Sequence, residues 1–288
     1  MTEAVPQAKT QGLSPCAEIV RDHDHDRWLT LLFAAPHMRE DLAALYAFAH
    51  EIGKTRERVS EPMMGEIRLQ WWRESIEGIY DGLARKHPVV AGLADLVARH
   101  KPDRSVFIDL IDARAAELYD EGPVDFDGLL AYADQTGGAL NRMAAFLCGA
   151  QDEAHLSAAH AVGRAWALTG ILRALAFQAA MQRITLPKDA LEEAGIAPES
   201  LYRGQFSPDM IPIIRRIANA AQEAIRKART QNGSYPAQAR SPMLLAVLAR
   251  DYLDRLAHAG DDPFAAPFDR GALTRQLKLF WAVLRGRF

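Results

Sequence analysis

The chain has 288 residues, 49% of them hydrophobic and 25% charged, and a net charge of −3. That is the composition of an ordinary globular protein with enough length for one large core. It exerts no overall pull on nucleic acid or anionic lipid, so no nucleic-acid partner is expected and any basic patch must be local. Cys16 and Cys148 are too few and too isolated for a disulfide framework or a thiolate metal site, and they point to a reducing compartment.

Residues 1–14 are small and polar, without periodicity or the apolar segment of a secretory signal, and disorder is expected there. A single helical domain is expected over residues 15–288. Pro15 suits a first helical turn, and Ile19, Trp28, Leu29, Leu32 and Phe33 supply an apolar stripe. Within it, Asp22–Asp26 reads DHDHD. The two histidines do not share a helix face, whereas Asp22 and Asp26 do. A solvated face is the expected reading and a metal site the alternative. After Pro36 a second helix carries Leu42, Leu45, Tyr46, Ala49 and Ile52 at helical spacing.

A break at Ser60–Pro62 leads into MMGEIRLQWWRESIEGIY. There Ile67, Trp71, Ile76 and Tyr80 are expected to pack inward while Glu66, Arg73 and Glu77 face water. Trp71 and Trp72 point about 100° apart, so one belongs to the core and the other to a cavity or a partner. Further helices are expected at 88–100, 104–120, 125–148, 153–181, 209–231, 240–258 and 271–285, with Gly137–Gly138 bending the segment that starts at Asp125. Loop chemistry collects at 192–200, 231–236 and 259–267. Nothing alternates as a strand would, and the class is all-α.

Two stretches stand out. Ala161–Pro187 begins with 21 residues that are almost wholly apolar or small, and it contains no Asp or Glu. A helix apolar nearly all round belongs in the middle of a bundle. Two arginines within one hydrocarbon thickness argue against a membrane span. Arg164 and Arg173, nine residues apart, fall on opposite faces, so each needs its own partner if buried. From Arg270 to Phe288 there are five basic residues and no acidic one. Leu273, Leu277, Phe280, Trp281 and Leu284 mark one face, with Arg275, Lys278 and Arg285 beside it. Such a helix either packs as an ordinary last helix or lies on a membrane or a partner.

The strings LYAFAHEIGKTRE and RLQWWRE, followed by AWALTGILRALAFQAAMQRITLPKD, resemble the two signature regions of the squalene and phytoene synthases. The resemblance runs from about Asp24 to the last helices. It implies an isoprenoid-synthase-like helical bundle around a central cavity. Active members are expected to hold Mg²⁺ there with two facing aspartate-rich motifs and, through it, the diphosphate of a prenyl substrate. A departing diphosphate needs its charge neutralised while an allylic cation forms, and magnesium is held through carboxylates and substrate phosphates.

This chain departs from the family at both motifs. Gly53 and Lys54 stand where the first has paired aspartates, and only Glu57 keeps an acid. In the second, Gly170, Ile171, Leu172 and Arg173 keep the frame, but Ala174, Phe177 and Gln178 replace acids. A lysine ~4 Å from a dication would cost roughly 8 kcal/mol at an effective dielectric of ~20. The stretch from Val59 to Trp72 further resembles the complex I assembly factor 6 group, a branch with altered acidic motifs linked to assembly of respiratory NADH:ubiquinone oxidoreductase.

The resemblance implies a non-catalytic factor without cofactor, with complex I subunits or assembly intermediates as partners. It would be cytoplasmic, or peripheral on the inner face of a bacterial inner membrane through residues 270–288. Two alternatives stay open. A working prenyltransferase would need Mg²⁺ and replacement carboxylates such as Asp22, Asp26, Asp109, Asp112 or Glu117. An isoprenoid- or lipid-binding protein without turnover would hold phosphate directly through Lys54, Arg56, Arg58 and Arg173.

Overall fold

The computed structural model describes residues 12–119, 122–230, 235–269 and 271–286. The disorder expected at the N-terminus therefore lies, for residues 1–11, outside the described residues, as do Arg270, Arg287 and Phe288. Among the described residues the regular elements are all helical: α1 Pro15–His23, α2 His25–Leu31, α3 Arg39–Gly53, α4 Pro62–Tyr80, α5 Pro88–His100, α6 Arg104–Asp112, α7 Phe126–Ala133, α8 Ala139–Leu147, α9 Glu153–Ala180, α10 Lys188–Glu193, α11 Pro198–Tyr202, α12 Ile211–Thr230, α13 Arg240–Met243, α14 Leu245–His258 and α15 Ala272–Leu284.

The helices start where side chains can satisfy their free N–H groups. Ser14, Asp24, Asp103, Asp125 and Asp152 each accept a backbone N–H at the starts of α1, α2, α6, α7 and α9. Pro15, Pro62, Pro88 and Pro198 occupy first turns, where a missing N–H costs nothing. The cap at Asp24 corrects the first helical reading. It splits one expected helix into α1 and α2, leaving Asp22 exposed and burying Asp26. The expected loop at 192–200 holds the end of α10 and the start of α11.

The 28-residue α9, about 42 Å long at 1.5 Å per residue, is the central post of the bundle. It packs against α8, α12 and α14. Its two arginines behave as their spacing predicted. Arg164 pairs with Asp134 on one side, and Arg173 reaches Asp26 on the other, 3.1 Å from Nη1 to Oδ2. Gly137–Gly138 sits in a π-helical turn, Asp134–Gly138, between α7 and α8. A Cβ on Gly163 of α9 would lie 2.1 Å from the Gly137 carbonyl oxygen, so the two backbones touch where neither residue has a side chain.

The second packing centre is α3, flanked by α1, α5 and α8. Phe48 makes edge contacts with Trp72 at 5.5 Å and Phe107 at 5.7 Å. Trp72 is the core member of the tryptophan pair, while Trp71 packs edge-on to His87 and carries Arg85 over its ring. The buried face of α4 runs through Leu69, Trp72, Ile76 and Ile79. Ile67, expected inward, is exposed, because the face containing Trp72 rather than Trp71 turns into the core, against α5, α6 and Phe48 of α3.

Candidate functional site

A cavity of about 870 Å³ opens between the C-terminal half of α9, the end of α3, the α7–α8 segment and the chain around residues 112–124. Such a volume falls within the usual range for small-molecule sites, about 300–1,000 Å³. Both altered motifs border it. Gly53, Arg56 and Glu57 line it from the α3 end, and Gly170, Ala174 and Gln178 from α9, where positions four apart share one face. A Cβ added at Gly170 would meet nothing within 4 Å, so this wall is open.

The other nominated residues point elsewhere. The Lys54 ammonium donates to both Glu57 oxygens, at 2.8 and 2.7 Å, and Lys54 is not part of the lining. Arg58 and Arg68 both bind Glu51, at 2.5 and 2.6 Å. Burial opposes the Glu51 charge, but Arg58 and Arg68 overcome this and hold its carboxyl below the usual range. Arg173 lies 3.7 Å from the Tyr252 ring centre and is tied to Asp26. Of the four arginines and lysines proposed to hold phosphate, Arg56 alone borders the cavity.

The DHDHD segment is a solvated face only in part, with Asp22 and His23 exposed but Asp26 buried. Buried Asp26 accepts from Arg173, from Arg275 at 3.0 Å and from the Tyr252 hydroxyl at 2.9 Å. Such a carboxylate is committed to structure.

Sequence reasoning missed the cations that do border the cavity: Arg27, Arg114 and Arg183. Arg114 stands over the first motif. A Cβ on Gly53 would lie 3.6 Å from its guanidinium carbon, so this arginine, rather than Lys54, faces the position where the family's first aspartate would project. It donates to Glu117 at 2.6 Å and Tyr132 at 2.8 Å, and Tyr132 donates to Glu117 at 2.5 Å. Burial works against the Arg114 charge, but Glu117 and Tyr132 more than offset it and its pKa is raised. Burial pushes the Tyr132 phenol up as well. Arg183 donates to the Arg56 carbonyl at 3.3 Å, and Arg56 donates to the Val59 carbonyl at 3.1 Å, bracing the α3 end against the chain leaving α9. The only signals for this were the arginine just before Ile184–Pro187 and the arginine inside the Asp112–Arg114 turn.

Among the described residues, the carboxylates that border the cavity are each engaged by a cation, whereas a magnesium cluster needs several free ones. Glu57 is engaged by Lys54, Glu117 by Arg114 and Tyr132, Asp24 by Arg27 and Asp112 by Arg73. Asp109 is exposed and outside the lining. No group of three or more His, Cys, Asp or Glu placed to hold a metal ion occurs among the described residues. What the cavity offers is a largely apolar chamber, with Trp166, Ile171, Leu129 and Leu140 on its walls and Arg56 and Arg183 at one side.

Comparison with known proteins agrees with this architecture. A mouse protein described as NADH dehydrogenase (ubiquinone) complex I, assembly factor 6 is 26% identical over 273 residues, covering 95% of this chain and 82% of the mouse protein. Chloroplastic phytoene synthase 2 of Solanum lycopersicum is 26% identical over 258 residues, covering 86% and 82%. The crystal structure of a dehydrosqualene synthase in complex with ligand superposes with a TM-score of 0.82 at 18% identity, over 94% of each chain. A squalene synthase from Alicyclobacillus acidocaldarius gives 0.76 at 18% identity, over 86% of this chain and 94% of that one. These likenesses establish an isoprenoid-synthase helical fold. Since the squalene/phytoene synthase model matches residues 20–279, the chain belongs to the squalene/phytoene synthase family.

Proposed function

We propose that this protein is a non-catalytic member of its family that serves the assembly of respiratory complex I through protein contacts. One observation carries the reading: both motif positions border the cavity, and there they present Gly53, Ala174 and Gln178, with the remaining acid, Glu57, bonded to Lys54. A prenyl transferase needs these positions to neutralise a departing diphosphate. The similarity to complex I assembly factor 6 proteins supports the same reading. No described helix is long and apolar enough to cross a membrane, and we place the protein on the inner face of the membrane that houses the complex. Deleting the gene in its native host and measuring NADH:quinone oxidoreductase activity tests the proposal. A large loss, restored by the wild-type gene, is expected. Unchanged activity and assembly would refute it.

The cavity favours one addition, the binding of an isoprenoid or lipid without turnover. Its apolar walls are kept while the acids are not, and Arg56 and Arg183 stand where a phosphate could be met by guanidinium groups without metal. Titration with farnesyl diphosphate in the presence of a magnesium chelator should give saturable binding that Arg183→Gln weakens. Absence of binding in chelator would remove this addition and leave the assembly role standing.

A further inference from the structure

The last helix is built inside out. Its cations face the bundle: Arg275 bonds Asp26 and the Tyr252 hydroxyl, and Lys278 bonds Asp251, which Arg255 also holds. Only Leu279 of its large apolar residues is fully buried. On the opposite side Leu273, Leu277, Phe280, Trp281 and Leu284 are 50–68% exposed. They follow i, i+4, i+7, i+8, i+11 spacing and form a ridge about 16 Å long. A contiguous apolar stripe of this size on a surface marks a site of contact.

The surroundings say what it contacts. Arg285 lies over the Trp281 ring at 5.7 Å. Arg229 of α12, Arg250 of α14 and Arg285 share a groove with Leu277 and Trp281 alongside α15. The acids in that groove are Asp251, already held by Arg255 and Lys278, and Asp254, 4.0 Å from Arg250. Residues 271–286 carry no acid at all. Burial and, second to it, the neighbouring Arg250 lower the Arg229 pKa. The ridge is convex and apolar, with tryptophan at its flank and arginines beside it, and the helix brings no acid, so its complement is an apolar surface edged with negative charge. The ridge suits a bilayer interface, where apolar side chains enter the acyl boundary and arginines meet lipid phosphates.

We propose that the outer face of α15, with Arg229, Arg250 and Arg285 beside it, docks the protein on the surface of a bilayer containing anionic phospholipid. The inward ion pairs then hold the ridge in a fixed orientation, so docking needs no unfolding of the helix.

Flotation of the full chain with vesicles tests this. Equimolar phosphatidylcholine and phosphatidylglycerol vesicles should carry the protein up the gradient, and pure phosphatidylcholine vesicles much less. Phe280→Asp combined with Leu277→Asp should cut the partition coefficient roughly tenfold or more. Arg250→Gln combined with Arg285→Gln should abolish the preference for phosphatidylglycerol. All these side chains point outward, so melting temperature and far-ultraviolet circular dichroism should match wild type. Wild-type protein that ignores both vesicle types would overturn the proposal, as would variants that float equally well. A concentration-dependent dimer lost in the Leu277→Asp variant would overturn it in favour of a second copy on this face.

Discussion

The cavity side of α9 and the side that carries Arg173 belong to the same two turns of helix, yet they treat charge in opposite ways. Toward the cavity, Gly170, Ala174 and Gln178 present no charge, and across it Glu57 is paired with Lys54 and Glu117 with Arg114. Around the helix, Arg173 keeps a buried counter-ion in Asp26, which also binds Arg275 and Tyr252 and so joins α2, α9, α14 and α15. A motif that serves both fold and chemistry in an enzyme thus separates cleanly into its two parts. Losing cavity-facing acids costs the fold nothing, because those positions border open space. Losing Asp26 would leave Arg173 and Arg275 without their shared carboxylate, whereas losing Arg173 would still leave Asp26 with Arg275 and Tyr252.

The comparison is broken most forcefully at Asp26. Replacing it with alanine leaves Arg173 and Arg275 facing each other across a site that is 6% exposed. The expected loss is about 3–5 kcal/mol of unfolding free energy, read from urea denaturation. Gly163→Ala is next. Its methyl group would stand 2.1 Å from the Gly137 oxygen, and forcing α9 away from the π-helical turn should cost about 1–3 kcal/mol. Asp134→Asn sharpens the contrast between the two arginines of α9. The Arg164 side chain is 36% exposed, so this pair is partly screened and its loss should cost no more than about 1 kcal/mol. If Asp134→Asn proved as damaging as Asp26→Ala, the distinction between a buried junction and a peripheral pair would fail.

A smaller effect should follow pH. Burial holds His50, His87 and His160 below the ordinary value of 6.5. In the window between their lowered pKa values and 6.5 the unfolded chain binds more protons than the folded one, so their contribution to stability is complete above 6.5 and declines as pH falls. Thermal melts should therefore shift to lower temperature on acidification below that point, and His160→Gln should flatten the slope. Smallest of all, Ala174→Asp on the cavity wall should change stability by less than about 0.5 kcal/mol.

These contrasts were unevenly legible beforehand. That Arg164 and Arg173 need separate partners follows from 3.6-residue periodicity alone. The identity of those partners does not, since Asp26 comes from a segment 147 residues away. Asp26 read as solvated along with the exposed Asp22 because a helix was expected to continue through Asp24, where the chain instead caps a new one. Likewise Gly53 announced a missing carboxylate, while nothing in the surrounding residues announced that Arg114 would stand over it. In α15 the pattern identified the apolar face correctly, but amphipathicity says only which residues share a face. That this face looks outward depends on Asp26 and Asp251 holding the cations inward.

If the fold persists here without prenyl transfer, as we propose, a single assay should show it. Purified full-length protein is incubated with farnesyl or geranylgeranyl diphosphate and Mg²⁺ while pyrophosphate release and long-chain products are followed. No pyrophosphate above the protein-free control is the expected result. Release of pyrophosphate together with a head-to-head condensation product would contradict the account and return this chain to the catalytic members of its family.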